Sequence, residues 1–136
     1  MNFVLIDDVA EHNDILASKL MQLCEKNNWN ASVALKATSS KVVREFAQKC
    51  QEPTVYFMDI ELDATQNTLS LAECIQSYDQ ECYIVYVSAH AHYAMECLHA
   101  HAFDFLLKPW TDEQLEDCLA AIMRSRRRSS VPVLVI

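Results

Sequence analysis

Apolar runs that end abruptly in a polar or charged residue constrain the fold of this 136-residue chain most strongly. Continuous apolar runs of this length are typical of strands that are buried on both faces of a sheet. Because parallel strands end at one edge of their sheet, the residues that follow the runs are expected to lie close together. The runs are residues 3–6, followed by Asp7 and Asp8; residues 54–58, followed by Asp59; residues 83–87, followed by Ser88; and residues 103–107, followed by Lys108 and Pro109.

Segments with helical periodicity lie between these runs and predict an α/β fold. Within these segments Ile15 and Val42 are among the apolar residues expected to face the core. Ser39 is expected to be the N-cap of the second predicted helix. Thr111, with Gln114 three residues later, predicts a capping box at the start of the last helix. The predicted strands are 2–6, 32–37, 54–59, 82–87 and 103–107, the predicted helices are about 11–27, 40–50, 69–77, 91–101 and 111–123, and 63–68 is predicted as a loop. Five strands alternating with five helices predict a doubly wound parallel sheet covered by helices on both faces.

Composition limits the class of protein. With 11 basic and 19 acidic residues the formal net charge is −8. This charge argues against a domain that binds nucleic acid through its own surface and favours binding of cations or of a basic partner. No stretch approaches the roughly 18 apolar residues of a membrane span, and no basic leader precedes the first apolar run, so we expect a cytoplasmic protein that does not enter a membrane. Six cysteines without a CxxC pair are expected to be reduced and buried.

The polar residues at the predicted sheet edge suggest a specific chemistry. Asp7, Asp8 and Asp59 would repel one another in a partly dry cleft, and a hard divalent cation such as Mg²⁺ relieves that repulsion. Lys108 and the hydroxyl of Ser88 would add an ammonium and a hydrogen-bond donor. A carboxylate nucleophile with these neighbours is suited to phosphoryl transfer.

At these residues the chain resembles the receiver domain of two-component response regulators, nearly from end to end. The AFDFLLKPW segment and the preceding YAMECLHAHAFDF run are similar to the LytR/AgrA-type branch, in which receivers precede a LytTR DNA-binding domain. The resemblance implies a flavodoxin-like sheet with strand order 2-1-3-4-5. It also implies a regulatory domain rather than an enzyme, apart from its own phosphorylation and dephosphorylation.

The resemblance assigns a role to individual residues. Asp59 would accept a phosphoryl group from a sensor histidine kinase, and Lys108 would contact that group. Ser88 would move toward the phosphoryl oxygens, and the ring of Phe105, which lacks the hydroxyl of a tyrosine, would move inward behind it. Glu61 and His90 would tune the lifetime of the phosphate. The implied Mg²⁺ ligands are Asp8 directly, Asp7 through water, Asp59, and the backbone carbonyl of Glu61.

The end of the chain has a different character. Residues 1–124 are predicted to form the receiver, with a readout and a possible homodimer interface on the face formed by residues 91–123. Residues 125–136 are predicted to be a basic linker and the start of an output domain of the LytTR type, through which alone DNA would be bound. The arginines of the linker region complement a helix C-terminus; they are Arg124, Arg126, Arg127 and Arg128.

Three other interpretations compete with the receiver. A phosphatase of the haloacid-dehalogenase type also uses a strand-end aspartate and Mg²⁺, but normally has Asp-x-Asp where this chain has Asp7-Asp8, and needs a longer chain. A receiver-like module that binds partners without phosphorylation would not need the complete set of polar residues. A zinc or copper site would need two or three further ligands beyond the helical pair Cys97 and His101. We interpret that pair and the neighbouring histidines as surface and boundary residues of a helix; the histidines are His90, His92 and His99.

Overall fold

The computed structural model describes residues 1–59, 65–79, 81–99 and 101–130. Five strands form one parallel sheet in the order β2-β1-β3-β4-β5, which confirms the predicted flavodoxin-like arrangement. The strands are β1 (Asn2–Ile6), β2 (Ser32–Ala37), β3 (Thr54–Asp59), β4 (Tyr83–Ser88) and β5 (Asp104–Leu107). The helices are α1 (Ala10–Asn27), α2 (Ser40–Lys49), α3 (Thr65–Tyr78), a short 3₁₀ helix (Ala91–Tyr93), α4 (Ala94–His99) and α5 (Asp112–Ser130).

The central strands supply a core on each face of the sheet, because successive side chains of a strand point to opposite faces. On one face Phe3 and Phe57 pack edge to face, with ring centroids 5.9 Å apart, against α1 and α5. On the other face Val4 and Met58 pack with residues of α2, α3 and α4. All six residues of β3 are buried, so Asp59 lies at the end of the best-protected strand.

Local sequence signals account for several of the element boundaries. The backbone N–H of Gln114 donates to Thr111 Oγ1 (3.1 Å), and the backbone N–H of Thr111 donates to Gln114 Oε1 (2.9 Å), which confirms the capping box. Asn28 ends α1 in the left-handed conformation with φ 54°, where a short polar side chain is tolerated. His101, at φ 59°, is a second left-handed residue.

Other boundaries differ from the prediction. Helix α3 begins at Thr65, so residues 65–68 are helical rather than part of a loop. The segment predicted as one helix over 91–101 is a 3₁₀ turn followed by the six residues of α4. Helix α5 continues through Ser130, so residues 125–130 are helical. The apolar residues 131–136 lie outside the described residues.

Three side chains are not placed as predicted. Ile15 is 61% exposed and Val42 is 42% exposed, although both lie at helical spacing with buried neighbours. A helix surface has a boundary between its buried and exposed faces, and periodicity alone does not locate that boundary to one residue. Ser39 occupies the N-cap position of α2, but its side chain makes no capping hydrogen bond.

The six cysteines are free thiols, of which Cys24, Cys97 and Cys118 are buried and the others half-buried. Within the described ranges, every helix is too short or too polar to cross a lipid bilayer.

Tyr86 provides a test of the core. Its side chain is fully buried in β4, and within the described part of the chain its hydroxyl has no hydrogen-bond partner. A hydroxyl that is removed from water without gaining a hydrogen bond destabilises the folded state. We therefore expect Tyr86→Phe to raise the free energy of unfolding by about 1 kcal/mol, as measured by urea denaturation. A loss of stability of similar size would show instead that the hydroxyl is hydrogen-bonded in the folded protein.

Candidate functional site

Three charged side chains meet at the carboxyl edge of the sheet, and each follows or ends a different strand. Asp7 follows β1, Asp59 ends β3, and Lys108 follows β5. Lys108 Nζ lies 3.3 Å from Asp7 Oδ2 and 3.4 Å from Asp59 Oδ2. Both carboxyl groups are buried, with side-chain exposures of 8% and 5%. One ammonium therefore bridges two buried carboxylates that come from non-consecutive strands.

The carboxylate of Asp7 is held in a defined orientation. Its Oδ1 accepts a hydrogen bond from the backbone N–H of Val9 (2.9 Å). Its Oδ2 is then directed toward Lys108 Nζ and toward His12 Nδ1, which is 3.1 Å away. The first turn of α1 thus brings an imidazole to the same oxygen as the lysine.

The charges of this site stabilise one another. Burial by itself would raise the pKa of the Asp7 carboxyl, but the hydrogen bond from Val9 and the charge of Lys108 lower that pKa below its usual value. Burial by itself would lower the pKa of the Lys108 ammonium, but Asp59 and Asp7 raise it above its usual value. Asp7 is therefore ionised and Lys108 protonated at neutral pH.

Ser88 lies next to this group and is completely buried. Its Oγ accepts a hydrogen bond from the backbone N–H of His90 (3.0 Å), and its carbonyl oxygen accepts one from the backbone N–H of Lys108 (2.7 Å). The backbone of β4 is thereby joined to the residue that carries the ammonium. A shift of Ser88 would consequently be transmitted directly to Lys108 and the end of β5.

The remaining predicted site residues have different environments. Asp8 and His90 are exposed. The centroids of the His90 and His92 rings are 5.5 Å apart. Phe105 is half-buried and packs against the core cluster that contains Tyr86. Glu61 lies outside the described residues.

A cavity of about 630 Å³ opens beside the charged group and includes it in its walls. The rest of its lining is mainly apolar, from α1 and from the segment after β5, including Ile15, Leu16 and Trp110. Ile15 is exposed because its side chain forms part of the cavity wall and does not pack in the core.

The ligand atoms of Asp7, His12 and Asp59 all lie within 4.8 Å of one another. Among the residues that the structure describes, this is the one group of three or more such side chains with metal-binding spacing, and the histidines near α4 form no second group. Two carboxylates at one edge, with oxygen atoms facing a common cavity, are a donor set that suits Mg²⁺. His12 was not predicted from the sequence. Its only signal is a position in the first turn of the helix that follows Asp7.

Comparison with known protein families identifies the family of this chain. Residues 4–120 match the family described as the response regulator receiver domain. The chain belongs to this family, whose members are regulatory domains of two-component signalling.

Two curated relatives indicate the kind of protein in which similar domains occur. The chain is 36% identical over 84 residues to the transcriptional regulatory protein BtsR of Escherichia coli, a match that covers 60% of this chain and 34% of BtsR. It is 25% identical to the sensory transduction protein LytT of Enterococcus faecalis over 85% of this chain and 45% of LytT. The chain spans less than half the length of these relatives.

Solved structures support the fold independently. The response regulatory domain of protein mrkE from Klebsiella pneumoniae superposes with a TM-score of 0.80 at 19% sequence identity, over 94% of this chain and 99% of that chain. A two-component response regulator from Clostridium difficile gives a TM-score of 0.75 at 22% identity, over 93% and 98% of the two chains. At these identities the similarity establishes the fold alone.

Proposed function

We propose that Asp59 accepts a phosphoryl group from a sensor histidine kinase and that the phosphorylated domain switches an output that regulates transcription. One observation supports this role above the others. Asp59 ends the fully buried strand β3, and its Oδ2 lies 3.4 Å from the ammonium of Lys108. A carboxylate in this position is protected from bulk water and already faces the cation that would neutralise a transferred phosphoryl group.

The chemistry is transfer between two nucleophiles. A carboxylate oxygen of Asp59 attacks the phosphorus of a phosphohistidine, the N–P bond of the donor breaks, and an acyl phosphate forms on Asp59. Lys108 binds an equatorial oxygen of the transferring group. Negative charge that accumulates on the phosphoryl oxygens is thereby balanced where it develops.

The cation implied by this chemistry is Mg²⁺. We propose the oxygen ligands Asp59, Asp8 and the backbone carbonyl of Glu61, with Asp7 bound through water. When bound, Mg²⁺ supplies positive charge that offsets the carboxylates and the phosphoryl oxygens. The buried carboxylates and the adjoining cavity support this proposal.

The switch is proposed to act through Ser88 and Phe105. An aspartyl phosphate adds charge and acceptor oxygens that only one arrangement of the β4–α4 loop satisfies, so phosphorylation shifts an existing equilibrium. The hydroxyl of Ser88 would leave the His90 N–H and donate to a phosphoryl oxygen, while the half-buried ring of Phe105 moves inward. Glu61 and His90, each two residues beyond a residue of the site, would tune the lifetime of the phosphate.

The proposed readout is the face formed by residues 91–123. Three large apolar side chains of this face are exposed, namely Met95 (62%), Phe103 (37%) and Leu107 (44%). Methionine and phenylalanine are enriched in protein interfaces, and we propose that phosphorylated copies form a homodimer through this face.

The output is proposed to be DNA binding by a LytTR-type domain, of which residues 125–136 would be the linker and the start. The relative LytT and the transcriptional regulator BtsR support an output of this general kind. In this proposal the domain itself binds neither DNA nor a membrane, and it resides in the cytoplasm, where a sensor kinase presents its phosphohistidine.

A time course distinguishes this function from a phosphatase. The protein is incubated with acetyl phosphate and Mg²⁺, and intact mass and released phosphate are followed together. We expect a single phosphoryl adduct whose accumulation accounts for the acetyl phosphate consumed early in the reaction. Rapid release of phosphate over many turnovers without an adduct would favour the haloacid-dehalogenase type of enzyme.

Ser88→Ala tests the switch. Removal of the hydroxyl leaves Asp7, Asp59 and Lys108 in place, so Mg²⁺ affinity is expected to remain nearly unchanged. The dissociation constant of the phosphorylated dimer is expected to rise by about tenfold, because about one charge-assisted hydrogen bond is lost. Analytical ultracentrifugation with and without acetyl phosphate measures this difference.

Ser77→Ala is the matched control, because the Ser77 hydroxyl is exposed and donates to the carbonyl of Cys74 within α3. The control is expected to dimerise like the wild type. Equal dimerisation of the Ser88→Ala variant and the wild type would contradict the proposed switch.

A further inference from the structure

We propose that His12 supplies a nitrogen ligand to the divalent cation at this site, so that the site binds a first-row transition-metal ion, exemplified by Mn²⁺, more tightly than Mg²⁺. The inference rests on the proposed function in placing a cation beside Asp59. It adds a ligand that the resemblance to receivers does not imply, and with it a selectivity for the ion.

With His12 as a ligand, Asp7 would bind the ion directly instead of through water, and the spacing of the three side chains fits one octahedral ion in that arrangement. His12 Nδ1 is 3.1 Å from Asp7 Oδ2, and the ligand atoms of His12, Asp7 and Asp59 all lie within 4.8 Å of one another. Neighbouring ligands of an octahedral ion with bonds of about 2.1 Å are about 3 Å apart, and opposite ligands are about 4.2 Å apart. The separation of His12 Nδ1 and Asp7 Oδ2 matches that of neighbouring ligands, and the other separations, at most 4.8 Å, are close to the distance between opposite ligands.

The position of His12 is set by the backbone around it. Its N–H donates to the carbonyl of Val9 (3.0 Å), and the Val9 N–H donates to Asp7 Oδ1 (2.9 Å). The next residue, Asn13, is buried and donates from Nδ2 to the carbonyl of Ala37 at the end of β2 (2.9 Å). The backbone of the first turn of α1 is thus held on both sides of His12, which places the imidazole at the wall of the cavity.

The ring is also chemically suited to the role. In its neutral form an imidazole carries one proton, and with that proton on Nε2 the lone pair of Nδ1 is available to an ion. About half of the His12 side chain is exposed, so water has access to the ring. Asp7 Oδ2 lies 3.1 Å from His12 Nδ1 and 3.3 Å from Lys108 Nζ, so an ion bound by His12 and Asp7 would share this oxygen with the ammonium.

The ligand set determines the preference for the ion. Mg²⁺ strongly prefers oxygen ligands, whereas imidazole suits transition metals, whose affinity for nitrogen and oxygen ligands rises from Mn²⁺ through Co²⁺ and Ni²⁺ to Cu²⁺. A carboxylate site that gains one imidazole therefore gains affinity for Mn²⁺ and very little for Mg²⁺. Phosphoryl transfer remains compatible with either ion, because both accept octahedral oxygen ligands.

Pulsed EPR of Mn²⁺ bound to the full chain tests the inference directly. Protein labelled with ¹⁵N at histidine is expected to show coupling between Mn²⁺ and a bound nitrogen, and His12→Asn is expected to abolish it. Titration should show that His12→Asn weakens Mn²⁺ binding by about tenfold, the lower end of the cost of disturbing a metal site. Competition with Mg²⁺ should show a much smaller change in Mg²⁺ affinity. His92→Asn, at an exposed histidine near α4, is the control and should change neither.

Each result has a definite meaning. If wild-type protein binds Mn²⁺ but shows no coupling to nitrogen, the inference is wrong and His12 is only a neighbour of Asp7. This result does not depend on whether the His12→Asn variant folds. Equal loss of affinity for both ions on His12→Asn would also overturn the inference. In both cases a phosphoryl adduct formed with Mg²⁺ would leave the proposed function intact. Failure of wild-type protein to bind either ion, or to form the adduct, would contradict the proposed function as well.

Discussion

Replacing Lys108 with Met is expected to lower the free energy of unfolding by about 3 kcal/mol, the lower end of the cost of breaking a buried ion pair. The ammonium of Lys108 lies within 3.4 Å of carboxylate oxygens of both Asp7 and Asp59, and both carboxyl groups are buried. Without it, two neighbouring carboxylates lose their shared counter-charge while they remain out of water. Urea denaturation in the absence of divalent cations measures the loss.

Mg²⁺ is expected to restore part of this stability. A cation that binds only the folded protein stabilises it in proportion to the logarithm of its concentration relative to its dissociation constant. In the Lys108→Met variant the cation no longer competes with an ammonium for Asp7 and Asp59. The gain in unfolding free energy on adding Mg²⁺ should therefore be larger for the variant than for the wild type.

Lys19→Met is the matched control. The Lys19 ammonium also pairs with a carboxylate, that of Asp112 at 3.1 Å, but this carboxylate is 67% exposed. Exposed ion pairs contribute about 0–1 kcal/mol, so the control should lose little stability and respond to Mg²⁺ like the wild type. Equal losses for the two variants, or equal responses to Mg²⁺, would show that Lys108 does not neutralise a buried acidic pair.

Much of the fold was predictable because the strongest signals in this sequence are also the features that decide the architecture. The run over 54–59 contains β-branched and aromatic residues without polar alternation, and β3 is accordingly buried at every position. The same reasoning placed Asp7 and Asp59 at one edge of the sheet. Parallel strand order brings those ends together irrespective of the details of the helices.

Helix boundaries were less predictable, for identifiable physical reasons. The first turn of α3, from Thr65, contains Thr, Gln and Asn and so has no apolar periodicity to mark it. Helix α5 continues through the arginine-rich segment to Ser130, because arginine is a good helix former and no proline occurs between Pro109 and Pro132. Apolar spacing identifies the buried face of a helix but not its length.

The site was predictable in its charges and less so in its arrangement. Aspartates at strand ends indicated an acidic cluster, but the pattern Asp7-Asp8 alone does not show which carboxylate is buried. In the structure Asp7 is buried and joined to Lys108, whereas Asp8 is exposed. His12 was missed because its position in the first turn after Asp7 becomes informative only once the orientation of α1 is known.

Asp59→Asn is expected to abolish phosphorylation completely, because the amide cannot attack phosphorus and, among the described residues of β3, Asp59 carries the one carboxylate. The variant should fold normally, since the side chain keeps its size and its neighbours. Asp14→Asn is the control, at an exposed carboxylate that pairs with Lys36, and it should be phosphorylated like the wild type.

The position of the phosphoryl group decides whether Asp59 is the phosphoryl acceptor. Wild-type protein is treated with acetyl phosphate and Mg²⁺, the acyl phosphate is reduced with borohydride, and the modified residue is identified by peptide mass spectrometry. We expect one modified residue, Asp59, and no modification in the Asp59→Asn variant. Modification of another carboxylate in wild-type protein, or an adduct that persists in Asp59→Asn, would contradict the role of Asp59 as the acceptor.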